Sequence, residues 1–413
     1  MDVPTVRWLA SPAGQAALAA LPPYAADEVF TLSNRLRAQG HPPEFVAALL
    51  TQQRLRSLAR GKFGDLASSV LLTADGLEQA SRLEVAAAHA ARYAGSGVSV
   101  VHDLGCGIGA DAMALSRAGI EVHAVDADPV TAALAAANLA PWPRSSVRVG
   151  RAEDFTAPEA RQRDSVGVFL DPARRIPGVA NAAGRTRRVF SVHQMSPSWD
   201  VVQSLASTVP ATGAKLSPAF PHGSLPAGVE AQWTSWERVV VECALWWGPL
   251  VQRAGRTARL LSRSRAPVEV DEAMAQSPVP LAHGLPAVGR WLHEPDRAVV
   301  QAGLVGAVTA ATNGCEVDTG LGYVLTDSDV TVPYARRYAV SEAMPFSEKV
   351  LRGWLRARGV TGVTIKKRGV VIDDERLRRA LRLGRGAGSG AQVTIALTRI
   401  SGSPVVLVVT PDS

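Results

Sequence analysis

Up to about residue 95, apolar residues recur every three or four positions, which predicts helices around 24–39, 43–60 and 75–94. Pro-Pro at 22–23 and 42–43 and the Gly-rich stretch 60–64 punctuate them. In the last segment Leu83, Ala87, Ala90 and Ala94 fall at helical spacing, a narrow face of small residues suited to close packing against a neighbour. From Val98 the pattern changes to short apolar runs separated by Ala-rich amphipathic stretches. Val98–His102, Ile120–Val125 and Val166–Leu170 read as strands, and Ala110–Ala118 and Pro129–Leu139 as helices. This alternation implies right-handed crossovers and a mainly parallel, doubly wound α/β sheet. Further strands are expected at 211–216, 239–245 and 257–261. The expected organisation is an N-terminal helical region, 1–95, followed by an α/β domain, 96–265.

A Pro-rich stretch, 267–295, opens a connecting region assigned to 266–335. In 348–358, Val350, Leu351, Trp354 and Leu355 share one helical face while Lys349, Arg352 and Arg356 share the other. A helix at 374–383 repeats the division, with Leu377 and Leu381 inward and Arg376, Arg378, Arg379 and Arg382 outward. Strands are expected at 361–366, 370–372, 392–399 and 404–410, and Gly384–Gly390 as a mobile loop. The segment 336–413 is thus read as a small α+β domain with a basic skin.

The 413 residues carry 44 Lys/Arg against 37 Asp/Glu, a net +7. Residues 336–413 hold fifteen basic against six acidic residues, +9, which leaves −2 for everything before them. A second cluster, Arg174, Arg175, Arg185, Arg187 and Arg188, falls in a stretch without an acid. Both are candidate anion-binding surfaces. Cys106, Cys243 and Cys315 are odd in number and far apart, which excludes a disulfide framework and a CxxC metal knuckle. No apolar run reaches the ~18 residues of a membrane span. The N-terminus lacks a basic region before a leucine-rich core, so a cytoplasmic enzyme is expected, with no membrane and no metal.

The densest chemistry lies in Val100-Val101-His102-Asp103-Leu104-Gly105-Cys106-Gly107-Ile108-Gly109-Ala110. A strand that ends in a glycine turn opening a helix lets a ligand approach backbone amides closely. Gly105-x-Gly107-x-x-Ala110, with Asp126 21 residues after Gly105, also satisfies a dinucleotide fingerprint, so a nicotinamide oxidoreductase fits this stretch as well. Asp103 stands two residues before the first glycine, where a carboxylate repels a pyrophosphate and attracts an amino or sulfonium group. Asp103–Gly109, Asp126 and Asp154 together resemble the cofactor motifs of class I S-adenosylmethionine-dependent methyltransferases. That resemblance implies a Rossmann-like fold and S-adenosylmethionine as cofactor. It also implies that Asp103 holds the methionine amine, that Gly105, Cys106, Gly107 and Gly109 line the ligand, that Asp126 with Ala127 binds ribose, and that Asp154 binds adenine. For Asp128 and Glu153 a helix cap or a surface carboxylate is the expected role, and Cys106 suits the turn by its size.

The fourth strand ends Leu170-Asp171-Pro172-Ala173-Arg174-Arg175. In many amino-methylating members of that superfamily the position reads Asp/Asn-Pro-Pro-aromatic, where the acid and carbonyls accept from an amine whose lone pair is delocalised. Here Asp171-Pro172 keeps half of the pattern; Ala173 and Arg174 replace the rest, and a guanidinium plane can also stack on a base. With Gly76–Arg82 and Lys215-Leu216-Ser217-Pro218, the Asp-Pro-Ala-Arg-Arg run resembles a bacterial methyltransferase family with a THUMP-like C-terminal domain. Its core is similar to that of trimethylguanosine synthases, which act on guanine amines of RNA. The resemblance implies methyl transfer to an RNA base nitrogen, with Asp171 and the Pro172 carbonyl orienting the nucleophile. Ala173, Arg174, Arg175, Arg185, Arg187, Arg188, Lys366, Lys367 and Arg368 would contact the RNA. The same residues are also compatible with a non-catalytic RNA-binding protein on this fold and with a small-molecule methyltransferase.

Overall fold

The computed structural model describes residues 1–157, 159, 165–172, 175–180, 186–188, 195–381 and 391–412; for 175–180 and 186–188 it describes the backbone alone. The chain divides into two compact units, one formed by Met1–Glu230 with Cys243–Gln252, the other by Ala231–Glu242 with Arg253–Ser413.

The first unit begins with two helices that apolar spacing alone does not announce, α1 (Val3–Ala10) and α2 (Pro12–Ala19). Their signals are caps: the Asp2 side chain accepts from the Thr5 amide and that of Ser11 from the Gly14 amide, each with proline in the first turn. Then follow α3 (Val29–Ala38), α4 (Pro43–Phe63), α5 (Ala74–Gln79) and α6 (Leu83–Gly95). The expected small-residue face of α6 is not the buried one. Ala87 and Ala94 are exposed, whereas Val85, Ala86, His89, Ala90 and Tyr93 are buried. The stripe carrying valine and tyrosine removes far more apolar surface from water than alanines do.

Next come β1 (Val100–Leu104), α7 (Ala110–Arg117), β2 (Glu121–Asp126), α8 (Pro129–Leu139), β3 (Ser146–Val149) and β4 (Val166–Leu170). An antiparallel pair, β5 (Arg175–Ala180) and β6 (Thr186–Arg188), stands apart from the main sheet. After α9 (Trp199–Thr208) the chain runs through β7 (Ala211–Leu216), β8 (Glu230–Trp236), β9 (Val239–Trp246), β10 (Gly255–Leu261) and β11 (Val268–Asp271). The nine-stranded order is β11-β10-β8-β9-β7-β4-β1-β2-β3. Strands β3, β2, β1, β4 and β7 are parallel neighbours, and β9 pairs antiparallel with β7. The α/β reading therefore holds, with β8 and β11 as additions the sequence did not announce. Val6, Leu49 and Phe63 of the leading helices share one hydrophobic cluster with Val101, Leu134 and Trp246, so the helices and the sheet bury each other.

Strand β8 from Ala231 on, the start of β9, β10 and β11 count with the second unit, which continues with β12 (Trp291–Pro295), α10 (Arg297–Gln301), α11 (Val305–Thr312), β13 (Cys315–Glu316), β14 (Val324–Thr326), β15 (Ala335–Pro345), α12 (Glu348–Ala357), β16 (Val360–Lys367), α13 (Asp374–Ala380), β17 (Ala391–Ile400) and β18 (Ser403–Pro411). Its seven-stranded sheet runs β13-β14-β12-β15-β18-β17-β16. Strand alternation splits the interior. Ile395, Leu397, Val406 and Val408 pack with Leu351, Leu355 and Leu377 of α12 and α13, while Ala396, Leu407 and Val409 pack with Leu292 and Tyr338. Residues 370–372, expected as a strand, form a loop in which Val371 is fully exposed. Val350, expected inward, is also exposed. The loop Gly384–Gly390 and Arg382 lie outside the described residues.

Candidate functional site

Parallel register builds the site. Leu104 of β1 pairs with Val125 of β2 and with Leu170 of β4, and Leu170 pairs with Ala214 of β7. The next residue on each strand is therefore Gly105, Asp126, Asp171 and Lys215, one row across the carboxyl edge of the sheet. Ligands of open α/β sheets bind outside this edge, where the strand order reverses. A cavity of about 530 Å³ lies there, lined by Gly105–Ile108, Ala110, Asp111, Asp126–Asp128, Gly150–Glu153, Asp171, Pro172 and, from α5 and its two caps, Thr73, Asp75, Gly76 and Glu78–Ala80.

The glycine turn has the backbone that only glycine adopts without strain: φ is +91° at Gly105, +56° at Gly107 and +85° at Gly109. The Gly107 amide donates to Asp126 Oδ2 at 3.0 Å and the Asp128 amide to Oδ1 at 2.9 Å, so Asp126 clamps the turn it faces. Burial pushes its carboxyl up. Asp128 caps α8 through the Thr131 amide, the capping role expected of it. Burial likewise pushes the Cys106 thiol well up, so it stays a thiol, a small residue in the turn without nucleophilic character.

Asp103 is 1% exposed, and its Oδ2 has no hydrogen-bond partner. Burial, with the charges of Asp111 and Asp171 next, raises its carboxyl well above the usual range. Asp103 and Gly109, both expected at the ligand, are not among the residues lining the cavity, whereas Gly105, two residues after Asp103, is. A buried acceptor left unpaired there fits a cationic ligand group and opposes a pyrophosphate. Asp111, at the start of α7, is the contrast. Burial again works to raise it, but the hydrogen bond and charge of His89 (Nδ1 to Oδ1, 2.8 Å), with Lys215 and Ser81, bring it down to about 2.

Asp154, the acid expected at the adenine, is exposed and is not among the residues that line the cavity, whereas Ala152 and Glu153 line it. A 3₁₀ turn over Ala152–Asp154 buries Ala152 and spaces its neighbours at about a third of a turn each, so the acid one residue earlier reaches the wall. Asp171 and Pro172 line the same cavity as the turn. Ala173, Arg174 and Arg185 lie outside the described residues; Arg175 lies in β5 and Arg187 and Arg188 in β6, known by backbone alone.

In the second unit, Lys366, Lys367 and Arg368 are engaged internally. Lys366 pairs with Glu294 at 2.7 Å, Lys367 with Asp374 at 2.7 Å, and Arg368 stacks over Tyr323 at 4.8 Å and donates to the Leu321 carbonyl. An RNA phosphate would compete with these acids. Exposed Lys349, Arg356 and Arg379 have no ion pair among the described residues.

Sequence reasoning assigned no chemical role to Lys215 or to the cavity-lining helix α5. Lys215 had a signal, a lysine inside an otherwise uncharged strand. Helix α5 stood out in the sequence only through the resemblance carried by Gly76–Arg82, and its contact with the turn is tertiary. Among the described residues no helix is long and apolar enough to cross a membrane, and no His/Cys/Asp/Glu group could hold a metal.

Residues 335–411 match the model of the THUMP domain-like family, and residues 2–59 match a domain of unknown function. Two Mycobacterium tuberculosis proteins, from strains CDC 1551 and H37Rv, are named as uncharacterized S-adenosylmethionine-dependent methyltransferases. Each is 32% identical to this chain over 84% of it and 90% of the relative. A crystal structure named as that of a methyltransferase from Porphyromonas gingivalis W83 covers 95% of this chain and 100% of its own, at a TM-score of 0.71 and 19% identity, which is a likeness of fold. An extended relative at this identity, together with the glycine turn, the orphaned Asp103 and the THUMP-like segment, makes this chain a member of the S-adenosylmethionine-dependent methyltransferase family with a THUMP-like C-terminal domain.

Proposed function

We propose that this methyltransferase transfers its methyl group to a nitrogen of an RNA base, with a guanine amine favoured. The observation that carries the reading is the placement of Asp171 and Pro172 on the wall of the cavity that the glycine turn and Asp126 line. S-adenosylmethionine supplies an electrophilic methyl group. Asp103 meets its amine, Gly105–Gly109 its backbone-facing side, Asp126 and Ala127 the ribose, and Ala152 with Glu153 the adenine side. Asp171 and the Pro172 carbonyl accept the protons of the target nitrogen and hold its lone pair in line with the methyl group; alignment supplies much of the rate. Arg174, Arg175, Arg185, Arg187 and Arg188 follow Asp171 in sequence and suit a base or its phosphates. The +9 balance of 336–413 supports a phosphate-tracking role for the THUMP-like part, through Lys349, Arg356 and Arg379 ahead of the internally paired Lys366 and Lys367.

Mass spectrometry of nucleosides from cells with and without the gene tests this. A methylated guanosine that disappears with the gene supports it. An unchanged nucleoside profile, with labelled methyl entering a small molecule instead, refutes the RNA assignment. Binding of RNA without any methyl transfer favours a binding protein on this fold.

A further inference from the structure

Strand β7 is buried at every position and carries one charge, Lys215. The ammonium pairs with Asp171, donates to Ser81 Oγ at 3.2 Å and reaches the Gln79 carbonyl at 3.5 Å. Ser81 in turn donates to Asp111 at 2.7 Å. The Lys215 side chain is 7% exposed and that of Asp171 28%. The carboxylate therefore faces the cavity and the ammonium backs it. Asp103, Asp111 and Lys62 are further charges that Lys215 acts on. Taking an ammonium out of water is costly, and here a carboxylate, a hydroxyl and a backbone carbonyl are among the partners that hold it.

Methyl transfer from S-adenosylmethionine breaks the C–S bond, leaves its electron pair on sulfur, and forms a C–N bond from the lone pair of nitrogen. The positive charge passes from sulfonium to nitrogen, which then releases a proton to water. An unbalanced carboxylate beside the sulfonium would stabilise that charged reactant more than the dispersed charge of the transition state or the neutral thioether product. We propose that Lys215 is a positioning residue that fixes Asp171 and balances its charge, so that the cavity neither over-stabilises the sulfonium nor discriminates strongly against the thioether. This rests on reading Asp171 as the acceptor-side carboxylate, and not on which acceptor is used.

The test is the ratio of dissociation constants for S-adenosylhomocysteine and S-adenosylmethionine, measured by calorimetry on the full chain without acceptor. In Lys215→Met the preference for S-adenosylmethionine should rise roughly tenfold, because a carboxylate loses its counter-charge. Lys215→Arg should keep the wild-type ratio, and adding Asp171→Asn to Lys215→Met should bring the ratio back. A lysine that only supports the fold would weaken both ligands alike; an unchanged ratio overturns the proposal. Should Lys215→Met fail to fold, Ser81→Ala loosens the ammonium, while also removing one hydrogen bond to Asp111, and should move the ratio in the same direction by a smaller factor; no movement overturns the proposal equally. An RNA assignment that fails the nucleoside test leaves these ratios standing, since no acceptor is present in the measurement.

Discussion

Asp103→Asn should stabilise the protein and disable its cofactor site, two effects of opposite sign from one atom. In the protein without ligand, Asp103 is 1% exposed, has an Oδ2 without a partner, and faces the charges of Asp111, Asp171, Lys215 and Asp126. A buried, unsatisfied acceptor costs about 1–3 kcal/mol, more when it is charged, and the neutral amide of the same shape relieves about 1 kcal/mol of that. The loss on binding is larger. Removing one partner of a buried charge pair with the cofactor amine costs about 2–4 kcal/mol, or a dissociation constant weaker by ~30- to ~1,000-fold. The pH dependence has a definite sign. Because the carboxyl is raised, the unliganded protein keeps its proton at pH values where an ordinary aspartate has lost it. An ammonium ligand requires the ionised form, so binding releases a proton and tightens with rising pH, by up to about tenfold per unit, until the raised pKa is passed. The same raised pKa makes the wild type lose stability as pH rises toward it, and Asn removes that loss. Calorimetry with S-adenosylhomocysteine across pH, and thermal unfolding of both proteins without ligand, read all three effects. A variant that binds as tightly as wild type with the same pH slope, or that unfolds more readily at neutral pH, would refute the account of Asp103.

Gly76→Ala should weaken S-adenosylhomocysteine binding by roughly 5- to 100-fold, because the new Cβ would lie 2.4 Å from Ile108 Cγ2 and 2.8 Å from Thr73 Oγ1 and drive α5 off the glycine turn, an overpacking of about 1–3 kcal/mol; unaltered affinity would show that this wall does not shape the site. Arg92 pairs with Glu230 at 2.7 Å, donates to the Leu250 carbonyl at 2.9 Å and stacks on Trp246, with both ionic side chains at most 3% exposed. Arg92→Met should cost about 3–5 kcal/mol in denaturant unfolding by taking the arginine counter-charge from buried Glu230, which keeps its bond from the Gln252 amide, and a loss under about 1 kcal/mol would contradict a dry ion pair. His293 is fully buried with neither ring nitrogen partnered, and burial first, then Arg337, lowers it from 6.5 to about 4. The unfolded chain gains that proton first on acidification, so stability falls between pH 6.5 and about 4, by at most about 3 kcal/mol. His293→Leu should flatten this acid sensitivity, and an identical pH profile would remove His293 as its source.

The βα stretch from Val98 to Leu139 was legible because local signals agree there: a short apolar run, three glycines at positive φ, and a Pro-initiated helix capped by Asp128. The two opening helices were missed because their signals are the caps Asp2 and Ser11 rather than an apolar period. Strands β12 to β15 were missed because they are short or carry alternating exposure, and their partners are distant in sequence. On α6 the choice between an alanine stripe and one with Val85 and Tyr93 depends on which neighbour covers the helix, which spacing cannot supply.

By itself the sequence determined the fold class and the glycine turn, and it singled out Asp103, Asp126 and Asp171 as candidate site carboxylates, because each sits at the end of a strand that residues within one strand–turn unit announce. The tertiary structure alone decided what depends on register and on packing between distant segments. It set Gly105, Asp126, Asp171 and Lys215 in one row, laid α5 against the turn, brought Glu153 rather than Asp154 to the cavity, and paired Lys366 and Lys367 with acids. Charge and burial are properties of a neighbourhood. Asp103 and Asp111 are the same residue type eight positions apart, one raised and one lowered to about 2; Lys215 lowers both, and the hydrogen bonds of His89 and Ser81 with the charge of His89 are what Asp111 has and Asp103 lacks.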